Sequence, residues 1–286
     1  TLFSKVKSMN GNTCAQVYSN GSFTKVFPMP DKTGARVGQT LTDFADDVGI
    51  PDTLVMDLAP EQAGKHTDMQ KEARRLRVRI RFTEKGRSEQ NHTAEGEIGQ
   101  LKRRWKHRMT TKNVPRCLWD YGLVHEAEVL SILARGKDQV PGLEKVLGQT
   151  IDISEYLDFG IWDLVWYWDQ SKTSDMSDEQ KKLGRWLGIA HRVGSEMTYW
   201  ILTEHCKVIA RSTVQHVLFA ELQQETIKAK AARFERLIDE NLRGRETIVN
   251  VPNVFYLDDE AAPDGSDAFT PTNEEYGDML QDEKPE

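Results

Sequence analysis

The chain has 286 residues and a formal net charge of −7, with 38% of residues hydrophobic and 29% charged. That length allows one or two domains with tails. No apolar run approaches the ~18–20 residues of a membrane span, no secretion signal opens the chain, and three scattered cysteines (Cys14, Cys117, Cys206) exclude a disulfide framework and any zinc spacing and suit a reducing compartment.

Taken in order, Leu2 to Met9 puts Leu2, Ser4 and Val6 on one face and reads as a strand. Cys14 to Tyr18 and Phe23 to Phe27 are two more, joined by the hairpin signal Asn20-Gly21. Ala35 to Val48 has a helical stripe of Leu41, Phe44 and Val48, stopped by Gly49-Ile50-Pro51. Thr53 to Met56 reads as a short strand covered on both faces, His66 to Leu76 as a helix burying Met69, Ala73 and Leu76, and Val78 to Phe82 as a fifth strand. A helix follows from about Thr93 to Met109, with Ile98, Leu101 and Trp105 buried. Val114 to Ala134 is strongly apolar and reads as core, His125 included.

A second unit begins near Pro141. Ile161 to Trp168, Gly184 to Ala190, Met197 to Leu202 and Val208 to Val217 make about four strands, enough for a small twisted barrel with an aromatic core. Arg185, His191 and Arg192 are candidate phosphate contacts there. Glu221 to Arg243 reads as one charged helix with a thin apolar stripe, docking on the barrel or pairing with another copy. The acidic remainder, with its Pro and Gly, reads as disordered. The fold class is therefore α/β: a mixed sheet with flanking helices over 1–136, a small β-barrel-like unit over 141–218, a long helix over 219–245 and a tail over 246–286.

Charge is unevenly spread. Residues 251–286 hold eleven acids and one lysine, a net −10, so the preceding 250 residues carry +3. Lys71 to Asn113 holds fourteen Lys/Arg against five Asp/Glu. A basic centre with an acidic tail is the pattern of a polyanion binder, the alternative being a solvated helix face. On the basic helix, Glu95, Gly99, Lys102 and Lys106 share a stripe at spacings of four, three and four. Gly99 costs about 1 kcal/mol of helix stability relative to alanine; a DNA backbone or a close helix against this face would account for it. Asp57 ends an apolar strand 38 residues before Glu95, and two such carboxylates at a sheet edge can share a pair of magnesium ions for phosphodiester chemistry.

Asp57, Gln90-Asn91-x-x-Ala94-Glu95 and the basic run through Gln100, Lys102, Arg103 and Trp105 resemble the integrase core of copia-type retrotransposons, over roughly residues 1–217. The resemblance implies a ribonuclease-H-like fold and DNA binding with metal-dependent end processing and strand transfer. It implies Asp57 and Glu95 as catalytic metal ligands for two Mg2+ (or Mn2+) ions, and Gln90, Asn91, Lys102, Arg103 and Lys106 against nucleic acid. Double-stranded DNA and further copies of the chain would be partners, in the nucleus and in cytoplasmic virus-like particles, with no membrane role and with a polyprotein as source. It also implies a first aspartate on the opening strand. Leu2 to Val6 has no acid, so that aspartate is expected just before Thr1, and a chain with two of three ligands is expected to bind metal weakly. Leu58 to Gly64 departs from the family's usual Asn-Gly-Gly-Glu-Phe after the second aspartate. Glu97, turned about 200° from Glu95, is a poor substitute ligand. Two other readings stand: a decayed nucleic-acid-binding relic, and another ribonuclease-H-like nuclease, which the barrel and the Gln90-Asn91 signature argue against.

Overall fold

The computed structural model describes residues 1–56, 67–83, 92–135, 138–169, 181–194 and 197–249. Strands β1 (Leu2–Phe3), β2 (Cys14–Ser19) and β3 (Thr24–Met29) form an antiparallel sheet in sequence order. The Asn20-Gly21 turn closes its hairpin: Asn20 Oδ1 accepts from the Ser22 and Phe23 amides at 3.1 and 2.8 Å, and Gly21 takes φ +89°. The alternation expected for the opening strand continues past Phe3, with Ser4, Val6 and Ser8 buried, but its pairing partner changes. Beyond Ser4 the segment pairs with Thr247–Val249, through Lys7 N to Thr247 O at 2.9 Å and Val249 N to Lys5 O at 2.6 Å, about a Val6–Ile248 bridge.

Helix α1 (Gly34–Asp47) leads to β4 (Thr53–Met56), then α2 (Asp68–Arg75) and β5 (Arg79–Phe82). Thr67 caps α2, its hydroxyl accepting from the Gln70 amide. β4 and β5 pair in parallel across this crossover, from Thr53–Arg79 to Met56–Phe82. Among the described residues they form a sheet of their own, separate from β1–β3, and are joined to that sheet by packing: Cys14, Tyr18 and Met29 share a core with Leu41, Met56, Met69, Ala73 and Val78. The expectation that Thr53 to Met56 is covered on both faces is corrected. Met56 is buried, but Thr53 and Val55 face solvent, Val55 at 47% exposure.

Helix α3 (His92–Lys112) lies against α4 (Trp119–Ile132), reached through a 3-10 turn at Arg116–Leu118. The two helices approach closely at Gly122, where a Cβ would stand 2.1 Å from Cζ3 of the buried Trp105. Short helices α5 (Gly142–Leu147) and α6 (Ser154–Leu157) precede an antiparallel sheet of β6 (Leu164–Trp168), β7 (Lys181–Ile189), β8 (Tyr199–Thr203), β9 (Val208–Arg211) and β10 (Val214–His216). Its order, β10-β6-β7-β8-β9, makes the outermost strands consecutive in the chain. Trp168 N donates to Thr213 O and Arg211 Nε donates to Trp168 O, each at 3.2 Å, tying the β9–β10 connection to the end of β6. There are five strands rather than about four because Val208 to Val217 breaks at Ser212-Thr213. Trp162, Trp166, Tyr167, Trp186 and Tyr199 are buried, as expected of core aromatics.

The expected single helix over Glu221 to Arg243 is two, α7 (Phe219–Leu222) and α8 (Glu225–Asn241). Phe234 and Ile238 of α8 are buried in a hydrophobic cluster that also holds Leu2, Trp105, Leu123, Trp186 and Ile201, so α8 docks on the same body that carries α3 and α4. The fold is mixed α/β throughout.

Candidate nucleic-acid interface

The basic helix α3 is held by its two buried sides. Leu101 and Trp105 are fully buried and Ile98 partly so. Glu97 adds a polar anchor that periodicity did not single out: it is 5% exposed, accepts from Arg135 Nη1 at 3.0 and 3.1 Å, and accepts from the Thr24 hydroxyl at 3.1 Å. Arg135 also donates to the Ser22 carbonyl at 3.1 Å. This ties the start of α3 to the β2–β3 turn and to the end of α4. Glu97 is thereby committed to the fold, consistent with its turning away from Glu95.

Two helical turns further, Arg104 Nε and Arg108 Nε donate to the two oxygens of Glu126 at 2.8 and 2.7 Å. Burial pushes the Glu126 carboxyl up, but the charges and hydrogen bonds of Arg108 and Arg104 outweigh it and hold the group below the usual carboxylate range. Glu97 and Glu126 together fix the rotation of α3 about its axis. The opposite side carries Glu95 in the first turn, exposed, with Gly96 and then Gly99. A Cβ on Gly96 would meet nothing within 4 Å, and one on Gly99 only the Arg103 guanidinium at 3.8 Å. Among the described residues no neighbouring helix packs against Gly99. Below it, Arg103 and Lys106 are exposed and have no ion-pair partner among the described residues, and Lys102 is half-buried beside them.

Asp57, Gln90 and Asn91 lie outside the described residues. What is described is the approach: β4 ends at Met56, whose carbonyl accepts from the Thr83 amide at 3.0 Å. Among the described residues no group of three His, Cys, Asp or Glu side chains is placed to hold a metal ion, and of the two expected ligands only Glu95 is among them. The described residues by themselves do not make up a metal site.

No protein-family model matches the chain, and no curated protein sequence matches it. Among solved structures, a chain of the simian T-cell lymphotropic virus intasome in complex with PP2A regulatory subunit B56 gamma is similar at 12% identity over 76% of this chain and 80% of that one, with a TM-score of 0.40. The catalytic core domain of BIV integrase is similar at 14% identity over 52% of this chain and 90% of that one, with a TM-score of 0.39.

The three residues expected as phosphate contacts in the second unit each have a partner within the fold. Arg185 is paired with Glu235 and donates to the Trp162 carbonyl, Arg192 is paired with Asp47, and His191 Nε2 lies 2.8 Å from Glu128 Oε1. Each cation staples one element of the fold to another. The Glu128 hydrogen bond raises the His191 pKa above its ordinary value, so this contact stabilises the fold fully below about pH 6.5 and is lost as pH rises through the folded-state value. Buried His125 shifts the other way, chiefly through burial, and opposes it. Comparing the urea midpoint of the wild type with that of His191→Gln isolates the pair: the wild type is expected to lose its advantage as pH rises above about 6.5.

Sequence reasoning missed a cavity of about 240 Å³ between α4 and the β7–β8 hairpin, lined by Asn12, Asp120, Tyr121, His125, Glu128 and Trp200 among others. Asp120 and Glu128 at i and i+8 on a largely buried helix were the available signal. Its carboxylates are already engaged: Asp120 accepts from Asn10 and Asn12 at 3.0 Å each, and Glu128 faces His191. The cavity lies between α4 and the β7–β8 hairpin with both carboxylates already paired.

Proposed function

We propose that this chain is a DNA-binding core of the copia-type integrase kind, built for metal-dependent phosphoryl transfer at DNA ends. The observation that carries this reading is the outward face of α3, where Glu95, bare Gly99, Lys102, Arg103 and Lys106 follow one another on a helix whose other sides are locked by Glu97 and Glu126. A phosphate backbone laid along this face would approach the helix closely at Gly99 and meet cations beyond it. Glu95 at the upper end would hold the reacting phosphate's metal together with Asp57 and a further carboxylate; when bound, Mg2+ or Mn2+ would activate the attacking hydroxyl and steady the leaving oxygen. Double-stranded DNA is the proposed partner, further copies of the chain would complete a working assembly, and the nucleus is the proposed place of action.

The test is a disintegration assay on branched DNA with Mg2+ or Mn2+, using this chain and the same chain extended upstream through the strand's expected aspartate. Activity in the extended form, reduced at least ~1,000-fold by Glu95→Gln with duplex binding retained, is the expected result. Inactivity of both forms with binding intact would favour the catalytically decayed relic. Absence of duplex binding by either would overturn the reading. Binding itself is expected to weaken with salt, and Arg103→Gln with Lys106→Gln to flatten the salt slope by about two phosphate contacts.

A further inference from the structure

The same face has a second candidate occupant within the chain. Arg103 and Lys106 on it are exposed and have no ion-pair partner among the described residues. The end of α3 is also where the described chain finishes. Arg243 of the 3-10 turn after α8 donates to the Asn113 carbonyl, one residue past α3, and Arg116 lies 3.7 Å from Glu246. Thr247–Val249 then pair with Lys5–Lys7. Residues 251–286 follow, with eleven acids against one lysine, the first acid being Asp258.

Reach is not limiting. Lys106 and Arg103 stand about 9 and 14 Å up the helix from Lys112 at 1.5 Å per residue. The nine residues from Val249 to Asp258 span up to about 30 Å, and the rest of the segment far more. A tethered segment of this charge sits at roughly millimolar effective concentration around the face. The acidic segment is therefore tethered within reach of the basic face.

We infer that the acidic segment 258–286 docks on the Lys102–Lys106 face of α3 and competes there with nucleic acid. This deepens the reading of that face as a nucleic-acid surface and rests on it for the identity of the competitor. DNA would bind only the fraction of molecules whose face is open, so the apparent affinity is lowered by that fraction. Salt would release the segment and the DNA alike, so the competition is strongest at low ionic strength.

The experiment is zero-length carbodiimide coupling of carboxylates to lysines in the whole chain at 50 mM salt, mapped by mass spectrometry, with and without a 30-base-pair duplex. The expected result is coupling of segment acids to Lys102 and Lys106, suppressed by duplex and lost at 0.5 M salt. In parallel, a chain with the eleven acids changed to Asn or Gln is expected to bind duplex about 5–20-fold more tightly at 50 mM salt and equally at 0.5 M. Coupling confined to Lys5 and Lys7 beside the chain's exit, or spread evenly over the lysines, would overturn the inference even if the neutralised chain binds more tightly, since net charge alone would then explain the gain. If coupling at Lys106 appears but no duplex binds, the docking stands and the nucleic-acid reading fails; if duplex binds and α3 is not coupled, the reverse holds.

Discussion

Replacing Glu126 with alanine is expected to destabilise the fold by about 2–3 kcal/mol, measured as a loss in urea-unfolding free energy. The carboxylate is wholly buried and is met by two guanidinium groups whose side chains are 30–35% exposed. Breaking a buried ion pair typically costs ~3–5 kcal/mol because a charge is left without compensation. Here the charges left behind are the arginines, which water reaches, so the cost falls below that range. Reversing the deletion gives a sharper test. Arg104→Ala with Arg108→Ala strands the buried carboxylate, and this double variant should be less stable than Glu126→Ala although it removes only groups nearer the surface. Equal losses would mean that the arginines contribute packing and that Glu126 is neutral in the fold.

Gly122→Ala is the second change with a large expected effect. Its Cβ would fall 2.1, 2.3 and 2.4 Å from Cζ3, Cη2 and Cε3 of Trp105, whose side chain is fully buried. Alanine gains up to about 1 kcal/mol in helix propensity, but the indole must move or the helices must part, and overpacking of this kind costs ~1–3 kcal/mol or more. A net loss of about 2 kcal/mol is expected. Trp105→Phe tests the cause, because it withdraws the clashing atoms. It also removes an indole N–H that has no hydrogen-bond partner among the described residues. Gly122→Ala should cost under ~0.5 kcal/mol in the Trp105→Phe background, so the two changes are strongly coupled. Additive losses would place the strain elsewhere.

Local pattern carried much of this architecture. The Asn20-Gly21 hairpin, the stop at Gly49 and the Leu101–Trp105 stripe are written in short windows of sequence and appear where those windows put them, while α3 runs on to Lys112, three residues past its expected end near Met109. What escaped was settled by partners far along the chain. Glu97 looked like an idle neighbour of Glu95 until Arg135 and Thr24 came to it. Arg185, His191 and Arg192 looked available for phosphate, yet Glu235, Glu128 and Asp47, between 50 and 145 residues away, engage them. Periodicity reports which face is buried and is silent on which buried polar groups find each other. Likewise the alternation of Val78, Ile80 and Phe82 with arginines did not reveal that the sheet carrying them holds only two strands among the described residues, with Phe82 37% exposed at its end.

The pairing of Lys5–Lys7 with Thr247–Val249 sets an order of events during synthesis. Val6 and Ile248 are bridged across nearly the whole described length, and loop closure over such a separation is slow and comes late. Until residue 249 has left the ribosome, the outer edge of the opening strand has no partner of its own. Through that interval it is an open edge able to pair with other chains. Yield on expression should therefore depend on chaperone supply and on temperature, and truncation ahead of Thr247 should shift product from soluble to aggregated.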